Sequence, residues 1–228
     1  MVEEYDHIDK NLPVVEPILD TWGSKKSAGY WGLDGNLEWR DFSVEEINAW
    51  FAQSLAKTLD AFSSLARVYK LVLLEQAELG ANIGGSFRLE SDFLYEEYIE
   101  STLNKIKQYP TSIYEVQIEL DMFVYVRTPT SADEPIRAWV RNLGDVSINI
   151  DREDECAGLW LNMEHTLFYP FSYQNNEDNT ELFELNQPLL ENALRNWEQK
   201  FNSRIDIEGL PGIYKYGFLP DDQWNQKS

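Results

Sequence analysis

The chain has 228 residues, of which 43% are hydrophobic and 14% aromatic, and its formal net charge is −21. Disordered chains have too little apolar surface to offset the entropy lost on folding, so this composition predicts a folded globular protein. The negative charge argues against binding to nucleic acid or to anionic membranes, because like charges repel, and it favours encounter with cationic partners.

The N-terminal residues and the cysteine content bear on the compartment. The segment MVEEYDHIDK is acidic where a secretory signal is basic, and no stretch has the length and apolar character of a membrane span. The single cysteine, Cys156, excludes a disulfide within the chain and fits a reducing environment. We therefore expect a soluble cytoplasmic protein with no membrane contact.

The length favours a single domain over residues 1–228. We divide it into an irregular, aromatic-rich entry segment (1–42), a mainly helical part (43–110) and a sheet with a C-terminal helix (111–220). The entry segment is predicted to contain a short hairpin near Asp34-Gly35. Its large aromatic residues are expected to pin the loop onto a core. They are Trp22, Tyr30, Trp31 and Trp39.

A helix is predicted to begin after Ser43, because Ser43 and Glu46 have the spacing of a capping box. Apolar residues recur at helical spacing to about Leu79, which predicts one long helix or two with a break near Ser63-Ser64. The β-prone stretch RVYKLVLL leaves open a change to a strand after Ala66.

A second helix is predicted between Asp92, as its N-cap, and Pro110. The intervening GANIGGS lacks the spacing and the Lys-Ser or Lys-Thr of a phosphate-binding loop, so we interpret it as a helix stop and a turn.

Three alternating segments follow, each typical of an antiparallel strand with one buried face. They are Tyr114 to Val126, Trp139 to Asp151 and Gly158 to Phe168. The charged loop DREDECA is predicted to join the last two as a hairpin.

The C-terminal part is predicted to begin with a mobile polar loop at residues 172–181. A final helix follows, with Asn186 as its cap and Pro188 in its first turn. RIDIE and IYKYGF are predicted to form a closing hairpin. The fold class is therefore α+β, with an antiparallel sheet of about five strands and two or three helices on its apolar face.

The residues that usually carry catalysis are scarce. His7 and His165 are the only histidines, and the acids beside Cys156 disfavour its thiolate. The acidic loops lack the glycine and terminal glutamate of an EF-hand. We assign no catalytic residue and no cofactor, and the sequence leaves open whether a metal binds.

If the three strands form a meander, their outward side chains make one acidic, amide-rich surface with a tryptophan as a possible anchor. Directly opposed like charges on such a surface destabilise it unless a cation, a covering segment or solvent relieves them. The same pattern is also typical of an ordinary solvated face. The candidate binding residues are Glu115, Gln117, Glu119, Asp121, Asn149, Asp151, Trp160, Asn162 and Glu164.

Three functions are consistent with these features. The first is a non-catalytic acidic cytosolic protein that binds a basic protein partner, in the manner of immunity or inhibitor proteins. The second is a carboxylate-dependent, metal-assisted hydrolase that uses Glu119, Asn149 and Glu164. The third is a subunit or scaffold of a larger complex, which exposed Trp22, Trp31 and Trp39 would support. The sequence does not indicate the partner, the pathway or the oligomeric state.

Overall fold

In the part of the chain that it describes, the computed structural model shows an α+β fold built on a seven-stranded sheet, more strands than the roughly five expected. It describes residues 8–15, 29–35, 37, 42–76, 79–87, 94–151, 156–163, 166–170, 178–208 and 212–220. The strands are β1 (Gly29–Asp34), β2 (Ala66–Gln76), β3 (Leu79–Ser86), β4 (Glu115–Val126), β5 (Ile136–Asp151), β6 (Cys156–Met163) and β7 (Asp206–Glu208). Their spatial order is β3-β2-β4-β5-β6-β1-β7, and neighbouring strands are antiparallel.

Within the described ranges, three helices accompany the sheet: α1 (Val44–Ala61), α2 (Tyr95–Lys107) and α3 (Thr180–Phe201). Every second residue of β4 from Val116 to Val126 is buried, as the alternating pattern predicted. These residues belong to the hydrophobic core, together with the apolar stripes of α1 and α3. In that core Trp197 of α3 contacts Phe62 edge-on and donates its indole N–H to the Thr58 hydroxyl of α1 at 3.1 Å.

The capping box is confirmed, but the long helix is wrong. Ser43 accepts from the Glu46 N–H, and the Glu46 carboxylate accepts from the Ser43 N–H. Helix α1 ends at Ala61, and the chain becomes β2 from Ala66, which is the alternative that the β-prone stretch left open. The apolar run in this stretch is too short for its periodicity to distinguish a helix from a strand. Pairing with β4 decides that it is a strand.

GANIGGS is also not a helix stop and turn, because it lies within strand β3, which pairs with β2. A chain already extended in β2 offers a free edge, and a glycine-rich segment can pair with it despite its low strand propensity. Helix α2 is confirmed. Its N-cap is Leu94, whose N–H donates to the Glu97 carboxylate, and the predicted cap Asp92 lies outside the described residues.

Helix α3 begins at Thr180, earlier than predicted, so Asn186 and Pro188 lie inside it and Asn186 is not its cap. The buried Asn186 side chain instead bonds to β4. The first two residues of α3 are also the last two residues of the predicted polar loop, 172–181. Residues 172–177 of that loop lie outside the described chain.

The third predicted strand is shorter than expected, since β6 ends at Met163 and residues Thr166–Phe168 form a single 3-10 turn. The predicted closing hairpin is split. β7, from RIDIE, pairs with β1, while IYKYGF forms its own two-stranded hairpin of β8 (Ile213–Tyr214) and β9 (Gly217–Phe218).

The entry segment supplies β1, which pairs with β6 and β7, and Trp31 of this strand is fully buried. This burial confirms the core interpretation for Trp31 and removes its support for a scaffold surface. Trp22, Trp39 and the far side of the hairpin predicted near Asp34-Gly35 lie outside the described residues. In the part of the chain that the structure describes, no helix has the length and apolar character needed to cross a bilayer.

Candidate functional site

The face of the sheet opposite the core carries the predicted polar residues, and the meander β4-β5-β6 is confirmed. We call the outward side chains of β4, β5 and β6 the polar face. The register sets Glu115 opposite Asn149, Gln117 opposite Ser147 and Glu119 opposite Asp145, and then Asp145 opposite Asn162 and Ser147 opposite Trp160.

Hydrogen bonds between carboxylates and neutral side chains connect this face. The Ser147 hydroxyl lies 2.6 Å from Glu115 Oε1, which also accepts from Gln117 Nε2 at 3.1 Å. Asn162 Nδ2 donates to Asp145 Oδ2 at 2.9 Å. Interleaving acids with amides and a hydroxyl thus separates most of the like charges that the sequence brings together.

Glu119 and Asp145 are the directly opposed acidic pair, and a lysine relieves their repulsion. Lys70 of β2 donates to Glu119 Oε1 at 2.6 Å. The hydrogen bond and the charge of Glu119 raise the pKa of Lys70, so this ammonium stays protonated across the physiological range. The cation that such a face requires therefore comes in part from the chain itself.

Trp160 lies flat on the sheet because two glycines leave room beneath its ring. Gly32 faces it on β1, and Gly158 precedes it by two residues on β6. A Cβ at Gly32 would lie 2.3 Å from the indole, and one at Gly158 would lie 2.9 Å from its Nε1. The ring of Tyr30 stands beside the indole at a centroid distance of 5.7 Å.

These groups line an open depression of about 670 Å³, which we call the acidic depression. Its lining includes the candidate residues Glu115, Gln117, Glu119, Asn149 and Trp160, together with Tyr30, Lys70, Asp145 and Ser147. A cationic side chain entering it would meet carboxylate oxygens and an aromatic face, both of which attract a positive charge.

Asp121 was predicted to be part of this solvent-facing surface, and the structure corrects that prediction. Asp121 is only 1% exposed and bonds to Arg67, Arg141 and the N–H of Asn142. A bulge in β5 between Val140 and Gly144 brings the last two groups to it. A carboxylate can be buried when charge-assisted hydrogen bonds of this kind replace its hydration.

The covering segment over Asp121 comes from the N-terminal part of the chain. Residues 8–15, which we call the strap, cross the polar face above Arg67 and reach β5 at Trp139. The polar face therefore has one end covered by the strap and one open end, which forms the acidic depression.

Asp151 and Asn162 are candidate residues that do not line the acidic depression. Asp151 ends β5 opposite Cys156, and Glu164 and His165 lie outside the described residues. Asn149 lies opposite Glu115, four residues from Glu119 along β4, so with the spacing between the two strands the backbones of Glu119 and Asn149 are about 14 Å apart. Glu119 and Asn149 both line the acidic depression without being neighbours, and the third residue named for the hydrolase, Glu164, lies outside the described residues.

Sequence reasoning missed Lys70 and Tyr30. Lys70 was assigned to a helix, with a strand after Ala66 left open. Tyr30 was expected to pack on the core, which is wrong, since it is half-buried and lies beside Trp160 on the polar side of the sheet. The alternation of Gly29–Asp34, with small residues beside aromatic ones, was the available signal for β1.

Among the described residues, no group of three or more His, Cys, Asp or Glu side chains is arranged to hold a metal ion. Comparison of the chain with protein-family models, with curated proteins and with solved structures found no match.

Proposed function

We propose that the protein is a non-catalytic, cytosolic binding protein that captures a basic protein partner on the acidic depression, in the manner of an immunity or inhibitor protein. The observation that carries this proposal is the combination of Glu115, Glu119 and Asp145 with the flat ring of Trp160 in one concave surface. The net charge of −21 adds long-range attraction for such a partner.

The depression suits a lysine or arginine side chain at the centre of an interface. Carboxylates on its floor can accept the hydrogen bonds of the cation, while Trp160 and Tyr30 offer cation–π contact beside them. Buried aromatic anchors with charged neighbours are common among the residues that dominate binding energy. Electrostatic attraction of this kind accelerates association and makes it dependent on salt.

The test is affinity capture at low salt with the wild type as bait, followed by titration of the purified captured protein. Glu115→Gln with Asp145→Asn, and separately Trp160→Ala, are expected to weaken binding by about tenfold or more. The control is Glu45→Gln with Glu100→Gln, which removes the same charge from exposed helical positions. The control pair should change affinity by less than about threefold, since it alters only the long-range field.

Equal losses in the two charge pairs would show non-specific attraction to an acidic protein and contradict the proposal. So would a captured partner that is not basic.

A thermal-shift series with Mg²⁺, Mn²⁺, Ca²⁺ and Zn²⁺ addresses the hydrolase. Stabilisation by one metal that disappears in Glu119→Gln would favour the hydrolase over the binding protein.

A further inference from the structure

The strap is held mainly by polar contacts. Asp9, Leu12 and Pro13 are exposed, with 41% of Leu12 accessible. One parallel bridge, from Val14 to Trp139, joins the strap to the sheet, where the Val15 N–H donates to the Trp139 carbonyl at 3.0 Å. Val15 packs against the hydrophobic core, and the rest of the attachment depends mainly on hydrogen bonds that water or another peptide can replace.

Backbone carbonyls of the strap satisfy donors on the body of the protein. Arg67 Nη1 donates to the carbonyls of Lys10 and Leu12 at 2.5 and 2.8 Å. Trp139 Nε1 donates to the carbonyl of Asp9 at 3.0 Å. The strap contributes only main-chain atoms to these contacts, so a peptide of different sequence with the same backbone conformation could make them as well.

Two strap side chains add specificity. Lys10 Nζ donates to the carbonyls of Ser63 and Ala66 at 2.7 and 2.5 Å, and it lies 5.2 Å from the centroid of the Trp139 ring. Asn11 Oδ1 accepts from the N–H of Tyr95, the first residue of α2, at 3.2 Å. The site thus recognises a lysine followed by an asparagine in a turn, which the Leu12 N–H closes by donating to the Asp9 carbonyl at 3.4 Å.

The charged form of Lys10 is less stable in this site than in water. Burial, reinforced by the charge of Arg67 and opposed by Glu96, lowers the pKa of Lys10 to about 8. At neutral pH the ammonium is therefore mostly charged but less favourable than in water, which weakens the docking of the strap.

We propose that the surface beneath the strap is a peptide-binding groove, that the strap occupies it in cis, and that a Lys-Asn turn of another protein binds it in trans when the strap leaves. Arg67, Trp139 and the first amide of α2 bind the backbone and the asparagine, while the carbonyls of Ser63 and Ala66 bind the lysine. This groove is separate from the acidic depression and does not depend on the proposed function.

The test uses the full chain and a labelled, end-blocked peptide with the sequence of residues 8–15, IDKNLPVV. Its one acid and one base cancel, so the net charge of the protein does not attract it. Fluorescence anisotropy compares the wild type with Lys10→Gln/Asn11→Ala, in which the cis strap is weakened.

The variant should bind the peptide at least about tenfold more tightly than the wild type, because a tethered strap competes at high effective concentration. A peptide with glutamine in place of its lysine should bind about tenfold more weakly. Equal affinity of the two proteins, or of the two peptides, would overturn the proposal.

Glu115→Gln with Asp145→Asn should leave the affinity for the peptide unchanged, so this result separates the groove from the acidic depression. Loss of peptide binding in that pair would place the peptide on the depression and contradict the groove.

Hydrogen exchange on the wild type provides a measurement that needs no variant. The Val15 amide should exchange at least about a hundredfold faster than the core amides of β4, since strap opening does not require global unfolding. Equal protection would show that the strap opens only with the whole fold, and it would overturn the proposal.

Discussion

Asn186 replaces a missing strand at one point of the sheet. β4 extends past the first residue of β2, which pairs with Met122, so the N–H and C=O of Tyr125 have no partner in β2. The side chain of Asn186 accepts from that N–H at 2.7 Å and donates to that carbonyl at 2.9 Å. A single buried amide thereby joins α3 to the sheet.

Asn186→Ala should lower the free energy of unfolding by about 2 to 4 kcal/mol, because two buried backbone groups lose their partners. Urea denaturation measures the loss. Asn192→Ala, at an exposed position of the same helix, is the matched control and should change stability by less than about 0.5 kcal/mol. Similar losses in both variants would contradict the prediction, because the exposed Asn192 has no link to β4 and alanine has the higher helix propensity.

At the scale of elements, the pairing of β4, β5 and β6 depends on close backbone approach at Gly144. A Cβ there would lie 2.8 Å from the Asn162 backbone carbonyl oxygen and 2.9 Å from Met163 Sδ. Because a backbone atom cannot rotate away, Gly144→Ala should destabilise the protein by about 2 kcal/mol in thermal or urea unfolding. The control is Gly158→Ala, whose Cβ would meet only side-chain atoms of Trp160 and Asn149. That variant should lose less than about 1 kcal/mol, and a larger loss than at Gly144 would contradict the prediction.

At the scale of the whole molecule, 40 acidic residues face 19 basic ones, so charge repulsion opposes the compact state. Raising NaCl from about 0.01 M to about 0.1 M shortens the screening length from about 30 to about 10 Å. The unfolding midpoint should therefore rise with salt, although exposed ion pairs such as Lys70–Glu119 weaken. Tetramethylammonium chloride at the same ionic strength should raise the unfolding midpoint as NaCl does. A midpoint that falls with salt would show that ion pairs outweigh the repulsion.

The sequence alone determined which face of β4 is buried, the α+β class and the position of the polar residues across the meander. These properties follow from local period-2 alternation, which each strand carries in its own residues. The start of α1 is likewise local, because Ser43 and Glu46 satisfy each other's backbone groups.

Only the tertiary structure decided that Ala66–Gln76 and Leu79–Ser86 are strands, that Asp121 is buried, and that Trp160 lies flat beside Tyr30. Each depends on a partner distant in the chain: β4 for β2, Arg67 and the strap for Asp121, and Gly32 for Trp160. Periodicity cannot indicate such partners, since it records only which side of an element is apolar. The acidic depression was therefore predictable as a polar strand face, whereas its concave shape, its lysine and its aromatic wall came from strands that pair across the whole chain.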